Sequence, residues 1–308
     1  MSSPNPFPDD PGRAGRLGSL RRRVLAYLAW LAAACILFLA PLVRFVRYAL
    51  GNDNSSHTIL IPAICAWILY LERDRIFASL GSDRLWTGVF LAAGGVAAAF
   101  ARWARMSELN QLSAYVLALI LLWAGGFAFF FGRSALRNAR FPLIFLLLTI
   151  PIPDFLLDHA IYFLQRGSAE TAAVLFDLTG VPVLREGFVF HLARVSIEVA
   201  RECSGIRSSL ALLILAILVA RFYLNTFWKQ AVLVLVGLFV MVLKNGVRIV
   251  TLTLLATYVD PGFLYGNLHR EGGVAFFLLG LVLLAPLAWL LERSERPVPA
   301  AARDERSA

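Results

Sequence analysis

Glu202-Cys203-Ser204-Gly205-Ile206-Arg207-Ser208-Ser209 places a thiol, a carboxylate and a guanidinium at the mouth of an apolar run. No other stretch between Ser168 and Ala220 is so dense in reactive groups. A thiol becomes a strong nucleophile only as the thiolate, and a helix N-terminus favours that form because its dipole is positive there. Ser204-Gly205 reads as a turn and Ile206 to Ala220 as helix, so Cys203 stands where that field acts. Arg201 and Arg207 strengthen the field, whereas Glu198 and Glu202 oppose it. The plain alternative is a free cysteine at a helix start. Cys35 and Cys65 lie inside apolar runs and read as small hydrophobes.

Two later segments carry groups that suit a thiol nucleophile. Lys244-Asn245-Gly246-Val247-Arg248 interrupts the apolar run from Ala231 to Leu255. Charges inside a membrane segment are costly and tend to mark function. Asn245 and Arg248 share a helix face at this spacing, and Gly246 permits a close approach or a break. The plain alternatives are a loop that splits the run and an arginine that snorkels to the interface. His269, in Asn267-Leu268-His269-Arg270-Glu271-Gly272-Gly273, precedes a helix start, where an imidazole titrates near neutral pH. Local sequence does not choose between it and His57, His159 or His191. No ligands recur at metal spacing, so neither a metal nor another cofactor is expected.

The elements that must position these groups are apolar. The 308 residues are 59% hydrophobic and 16% charged, with a mean hydropathy of +0.72, against about 45–50% and about 25% in soluble domains. The expectation is an all-α polytopic membrane protein, because lipid offers no water to satisfy backbone groups outside helices. About eight spans are expected, near 24–43, 58–71, 86–101, 111–131, 141–153, 206–220, 228–245 and 272–291. The extracytoplasmic segment 154–205 reads as one or two interfacial helices to Thr179, then short strands or a hairpin around Gly187. Residues 1–20 and 294–308 read as disordered and cytoplasmic, with residues 21–293 as one transmembrane domain. Leu31-Ala32-Ala33-Ala34-Cys35 is a poor match to a lipoprotein cleavage box, and the apolar run continues past it.

The net charge of +9 gives no nucleic-acid face, because the basic residues punctuate the apolar runs. Arg13, Arg16, Arg21–Arg23, Arg73, Arg75, Arg84, Arg133, Arg137, Arg140, Arg221, Lys229, Arg293, Arg296, Arg303 and Arg306 fall on one face if eight spans alternate; the other twelve of 29 fall elsewhere. That bias makes the first face cytoplasmic. Cys203, Arg248 and His269, from three separate segments, then share the extracytoplasmic face.

These motifs resemble the exosortase/archaeosortase family of polytopic membrane cysteine transpeptidases. Glu202 to Ser208 is similar to that family's cysteine motif, Asn245-Gly246-Val247-Arg248 to its Asn-x-x-Arg motif, and His269 with Gly272-Gly273 to its histidine motif. Ser56-His57 through Pro62, Phe141-Pro142-Leu143 through Pro153, and Arg185-Glu186-Gly187 extend the likeness over about residues 56 to 292. The resemblance implies Cys203 as nucleophile with Arg248 and His269 as catalytic partners. Glu202, Ser204, Arg207 and Asn245 would support them or bind substrate, though each equally suits a cap or a local pair. It also implies, as in bacterial exosortases, an inner-membrane enzyme with its site on the periplasmic side. The expected partners are membrane lipid and exported proteins ending in a sorting tail: a short motif such as Pro-Glu-Pro, one transmembrane helix and a basic cluster. The rival expectation is a transporter or scaffold for polysaccharide export, built around Lys244, Asn245 and Arg248.

Overall fold

Proline, more than the apolar runs themselves, sets where the first helices break. The computed structural model describes residues 11–193, 195–201, 205–264 and 273–295. Helix α1 (Pro11–Leu37) begins inside the stretch expected to be disordered and stops at Phe38, where α2 (Leu39–Gly51) departs at 81°. Pro41 explains the break: its ring removes the N–H that would bond Leu37 and clashes with that carbonyl. A 3₁₀ segment, Asp53–Ile59, leads into α3 (Leu60–Leu71) and the single turn α4 (Arg73–Ile76). Helices α5 (Arg84–Trp103) and α6 (Glu108–Asn138) are capped by Asp83 and Ser107, which accept from the backbone N–H groups of Trp86 and Asn110. They approach closely where Gly94 lies on the Ala118 carbonyl. Helix α7 (Arg140–Phe145) runs into a 3₁₀ turn that ends at Thr149, since Ile150 precedes Pro151 and takes an extended conformation.

The chain gathers into two compact units, Met1–Leu156 and Leu157–Ala308. The core of the first is an aromatic cluster of Tyr27, Phe77, Phe127 and Phe131. The second holds most of α8 (Asp154–Thr179), a three-stranded sheet, and helices α9 (Ile206–Tyr223), α10 (Phe227–Tyr258) and α11 (Gly273–Arg293). The expected strands around Gly187 are present. Strands β1 (Leu184–Glu186), β2 (Val189–His191) and β3 (Ser196–Glu198) pair antiparallel in that order, and Gly187 turns the first hairpin at φ 62°. Of the strand residues only Phe190, in the middle of β2, is buried: it packs against Phe176 of α8, with ring centres 5.4 Å apart. Ala169, Ala172, Val199, Ile249 and Val250 complete that core and so bind sheet, α8 and α10 together. Leu212, Ala216, Leu233, Val240, Met241 and Leu284 join α9, α10 and α11.

The architecture is all-α and polytopic, as expected. Among the described residues five helices are long and apolar enough to cross, or seven if the broken pairs Gly18–Leu37 with Leu39–Gly51 and Arg140–Thr149 with Asp154–Thr179 each count once; His57–Leu71 is a shorter apolar helix. Three expected runs change. Residues 24–43 are split at Phe38, 141–153 ends as helix at Thr149, and 228–245 continues unbroken to Tyr258.

Candidate active site

The chain on both sides of Glu202-Cys203-Ser204 is anchored to long helices. Upstream, Gln165 of α8 donates to the Val199 carbonyl, and Val199 N–H bonds Phe188 O at 2.9 Å. Arg201 pairs with Asp158, seven residues earlier on α8 than Gln165. Further out, Arg185 grips Glu170 with two hydrogen bonds of 2.8 and 3.0 Å and lies over the Phe190 ring, which fixes the sheet to α8.

Downstream, Gly205 starts α9 in the left-handed region at φ +67°. That φ suits glycine, and so does the space: a Cβ there would lie 2.6 Å from Asn245 Oδ1. Asn245 Nδ2 donates to Ser168 Oγ of α8 at 2.9 Å, with both side chains buried. One residue earlier on α10, Lys244 Nζ donates to Ser208 Oγ at 2.7 Å, and Ser208 Oγ donates to the Gly205 carbonyl at 3.1 Å. Gly246 lets α8 approach this face: a Cβ there would sit 2.5 Å from Thr171 Cγ2. Three helices thus meet at the first turn of α9. The N–H groups of that turn have no partner within the helix and present a positive end to the segment before Gly205.

Of the expected site residues, Arg248, Asn245 and Arg207 are described. Arg248 does not follow the end of a span as expected. It lies within α10, half-buried and one turn after Lys244, because the polar residues that were to split the run are instead accommodated inside the helix. Asn245 is held at the start of α9, and Arg207 stands exposed in its first turn. Cys203, Glu202, Ser204 and His269 lie outside the described residues. His191 is committed to the sheet: its Nδ1 is 2.9 Å from Ser196 Oγ across the strand pair, and Glu186 lies 3.7 Å from Nε2. Among the described residues no three of His, Cys, Asp and Glu gather as metal ligands.

Sequence reasoning missed Ser168, Gln165 and Ser208. The available signal was their spacing: Gln165 and Ser168 stand three apart on α8, the separation of neighbours on one face, beside the small residues Gly167, Ala169 and Ala172. A polar pair on a small-residue face is a common way for helices in lipid to bind each other.

Residues 48–286 match the family model described as transmembrane exosortase. The chain belongs to that family, whose members are membrane enzymes of the protease and transpeptidase type. No curated protein and no solved structure matches it.

Proposed function

We propose that the protein is a cysteine peptidase or transpeptidase of the inner membrane, with its site on the extracytoplasmic face. It removes the C-terminal sorting tail of exported proteins through a thioacyl intermediate. The observation that supports this best is the contact of Gly205 with Asn245. It joins the helix that follows the cysteine motif to the helix that carries Asn245 and Arg248, forty residues later. A chance cysteine at a helix start gives no reason for that meeting.

In this reading the Cys203 thiolate attacks the scissile carbonyl carbon and the carbonyl oxygen becomes an oxyanion. Arg248 donates to that oxyanion. The C–N bond then breaks, and His269 gives the leaving amine a proton. Cys203 is left as a thioester. Water resolves it to a free carboxylate, or an amine on a lipid or glycan resolves it to an amide, and the thiol is restored in either case. Asn245, Ser204, Glu202 and Arg207 hold the start of α9 and the substrate segment in place. The substrate's own apolar helix lies in the bilayer, so its cleavage point arrives at a fixed depth.

The test is mass spectrometry of the mature C-terminus of a co-expressed protein ending in a motif, one apolar helix and an arginine cluster. The native chain yields a shortened C-terminus, with or without an attached group. Cys203→Ala abolishes shortening while the protein remains in the membrane. Arg248→Ala lowers the rate by about 10²–10³, the usual loss for an oxyanion donor. Shortening that survives Cys203→Ala ends the proposal.

A further inference from the structure

Helix α2 carries three stripes of side chains, and only one of them packs on the protein. Phe45 and Ala49 are buried, and Leu42 joins Phe38 in a core shared with α5 and α6. Leu39, Val43, Val46 and Leu50, three or four residues apart, form a second stripe that is exposed, Leu50 to 75%. Arg44 and Arg47 form the third and are exposed as well. Contacts with the neighbouring helices fix this orientation. Arg44 donates to Gln111 Oε1 of α6 at 3.1 Å and lies over the Tyr115 ring, and Gln111 Nε2 donates in turn to the Ala101 carbonyl of α5 at 3.0 Å. The last turn of α5 is thereby brought alongside, with exposed Arg102 and Trp103 and, just beyond, exposed Arg105. Arg47, Arg102 and Arg105 have no hydrogen-bond or ion-pair partner among the described residues. Neither α2 nor α5 contains an acidic residue. Nearby, Glu108 stands in the first turn of α6, and Asp154 accepts from the Ser107 hydroxyl.

We propose that α2 is an interfacial helix that seats this unit on an anionic phospholipid surface, with its aliphatic stripe among the acyl chains and its arginines on the lipid phosphates. The stretch Gly18–Leu37 rises about 30 Å, the thickness of a hydrocarbon core, so α1 is long enough to cross without α2. The 81° bend at Phe38 then lays α2 in the plane of the bilayer. An apolar stripe beside a basic one is the pattern of a helix that sinks about 5–10 Å into the headgroup boundary. Exposed Trp103 suits the same level, where tryptophans anchor membrane proteins. A soluble acidic partner would match the guanidiniums and leave the aliphatic stripe in water, whereas lipid matches both. The surface uses none of the residues assigned to catalysis.

The experiment places p-benzoylphenylalanine at Val46 of the full-length protein in vesicles of equimolar phosphatidylglycerol and phosphatidylcholine. Photoadducts are identified by mass spectrometry. Lipid adducts are expected, with phosphatidylglycerol exceeding phosphatidylcholine by about fivefold or more, the gain for a single arginine near an anionic surface. Arg47→Gln is expected to lower that ratio several-fold. Arg47 makes no hydrogen bond or ion pair within the fold, so its replacement tests the surface and leaves the helix packing in place. Should the protein altered at Val46 fail to insert, Leu50 of the same stripe carries the probe instead. A ratio near one with Arg47 present, or a ratio that Arg47→Gln leaves unmoved, overturns the proposal. Photolysis that yields no lipid adduct assigns the face to water or to a soluble acidic partner and overturns it as well.

Discussion

A methyl group at position 205 would meet two obstacles at once. The left-handed φ of +67° costs an L-residue about 1–2 kcal/mol, and the new Cβ would lie 2.6 Å from Asn245 Oδ1. Gly205→Ala is therefore expected to lower the thermal stability of the purified protein and to suppress processing. The two costs separate in a double-mutant cycle. Asn245→Ala alone leaves Ser168 without a buried partner and costs about 1–3 kcal/mol. In the Gly205→Ala background the same change also removes the clash, so it must cost less there than in the native protein. Equal costs in both backgrounds would show that Gly205 and Asn245 are not in contact.

At the scale of elements, the start of α10 is fixed by a residue from the far end of the chain. Thr226 gives α10 no side-chain cap. Glu295 replaces it, accepting from the Asn225 N–H at 2.7 Å and the Thr226 N–H at 2.9 Å, with Lys229 Nζ 3.7 Å away. The Asn225 backbone hydrogen bond, ahead of the other contacts, brings the Glu295 carboxyl from its ordinary 4.5 down to about 2. A lowered folded-state value means that the carboxylate stabilises the fold above the unfolded value. That contribution fades as pH falls from about 4.5 to about 2. Thermal unfolding followed across that window is expected to show the native protein losing more stability than Glu295→Gln. Parallel pH profiles for the two proteins would contradict this. Much of the element order was legible from apolar run and basic punctuation, because each lipid-crossing helix needs both. The breaks were less legible. Pro41 ends the helix four residues before itself, so a run that reads as continuous to Val43 stops at Leu37. Lys244 and Asn245 look like an interruption, yet Ser208 and Ser168 satisfy them and α10 continues. Those partners lie 36 and 77 residues away, a distance at which no local pattern operates.

At the scale of the whole molecule, orientation decides whether the thiol meets exported protein. In the first unit the basic clusters expected to be cytoplasmic come together at one end. Arg23 of α1 bonds the carbonyls of Gly81 and Phe130, Arg75 and Asn138 exchange hydrogen bonds with each other's backbone, and Gly81 and Asp83 bond the end of α6. Eleven basic residues before Phe141 lie on the side expected to be cytoplasmic and four, Arg44, Arg47, Arg102 and Arg105, on the other. By the positive-inside rule that contrast is what a cytoplasmic end is expected to show. In the second unit Arg221, Lys229 and Arg293 likewise gather where Glu295 and Ser294 bind the α9–α10 turn. Gly205 begins α9 at its opposite end. The step between these two statements is residues 140–149, ten helical residues that rise about 15 Å, half of a bilayer's hydrocarbon core of about 30 Å. Whether this short stretch and its continuation carry the chain across is what Cys203 reports. In a Cys35→Ala, Cys65→Ala background, a membrane-impermeant maleimide applied to intact spheroplasts is expected to label Cys203. Labelling only after the membrane is opened would mean that the chain returns to the cytoplasmic side after Arg140. The thiol would then face the cytoplasm, where a tail that has already been exported does not reach it.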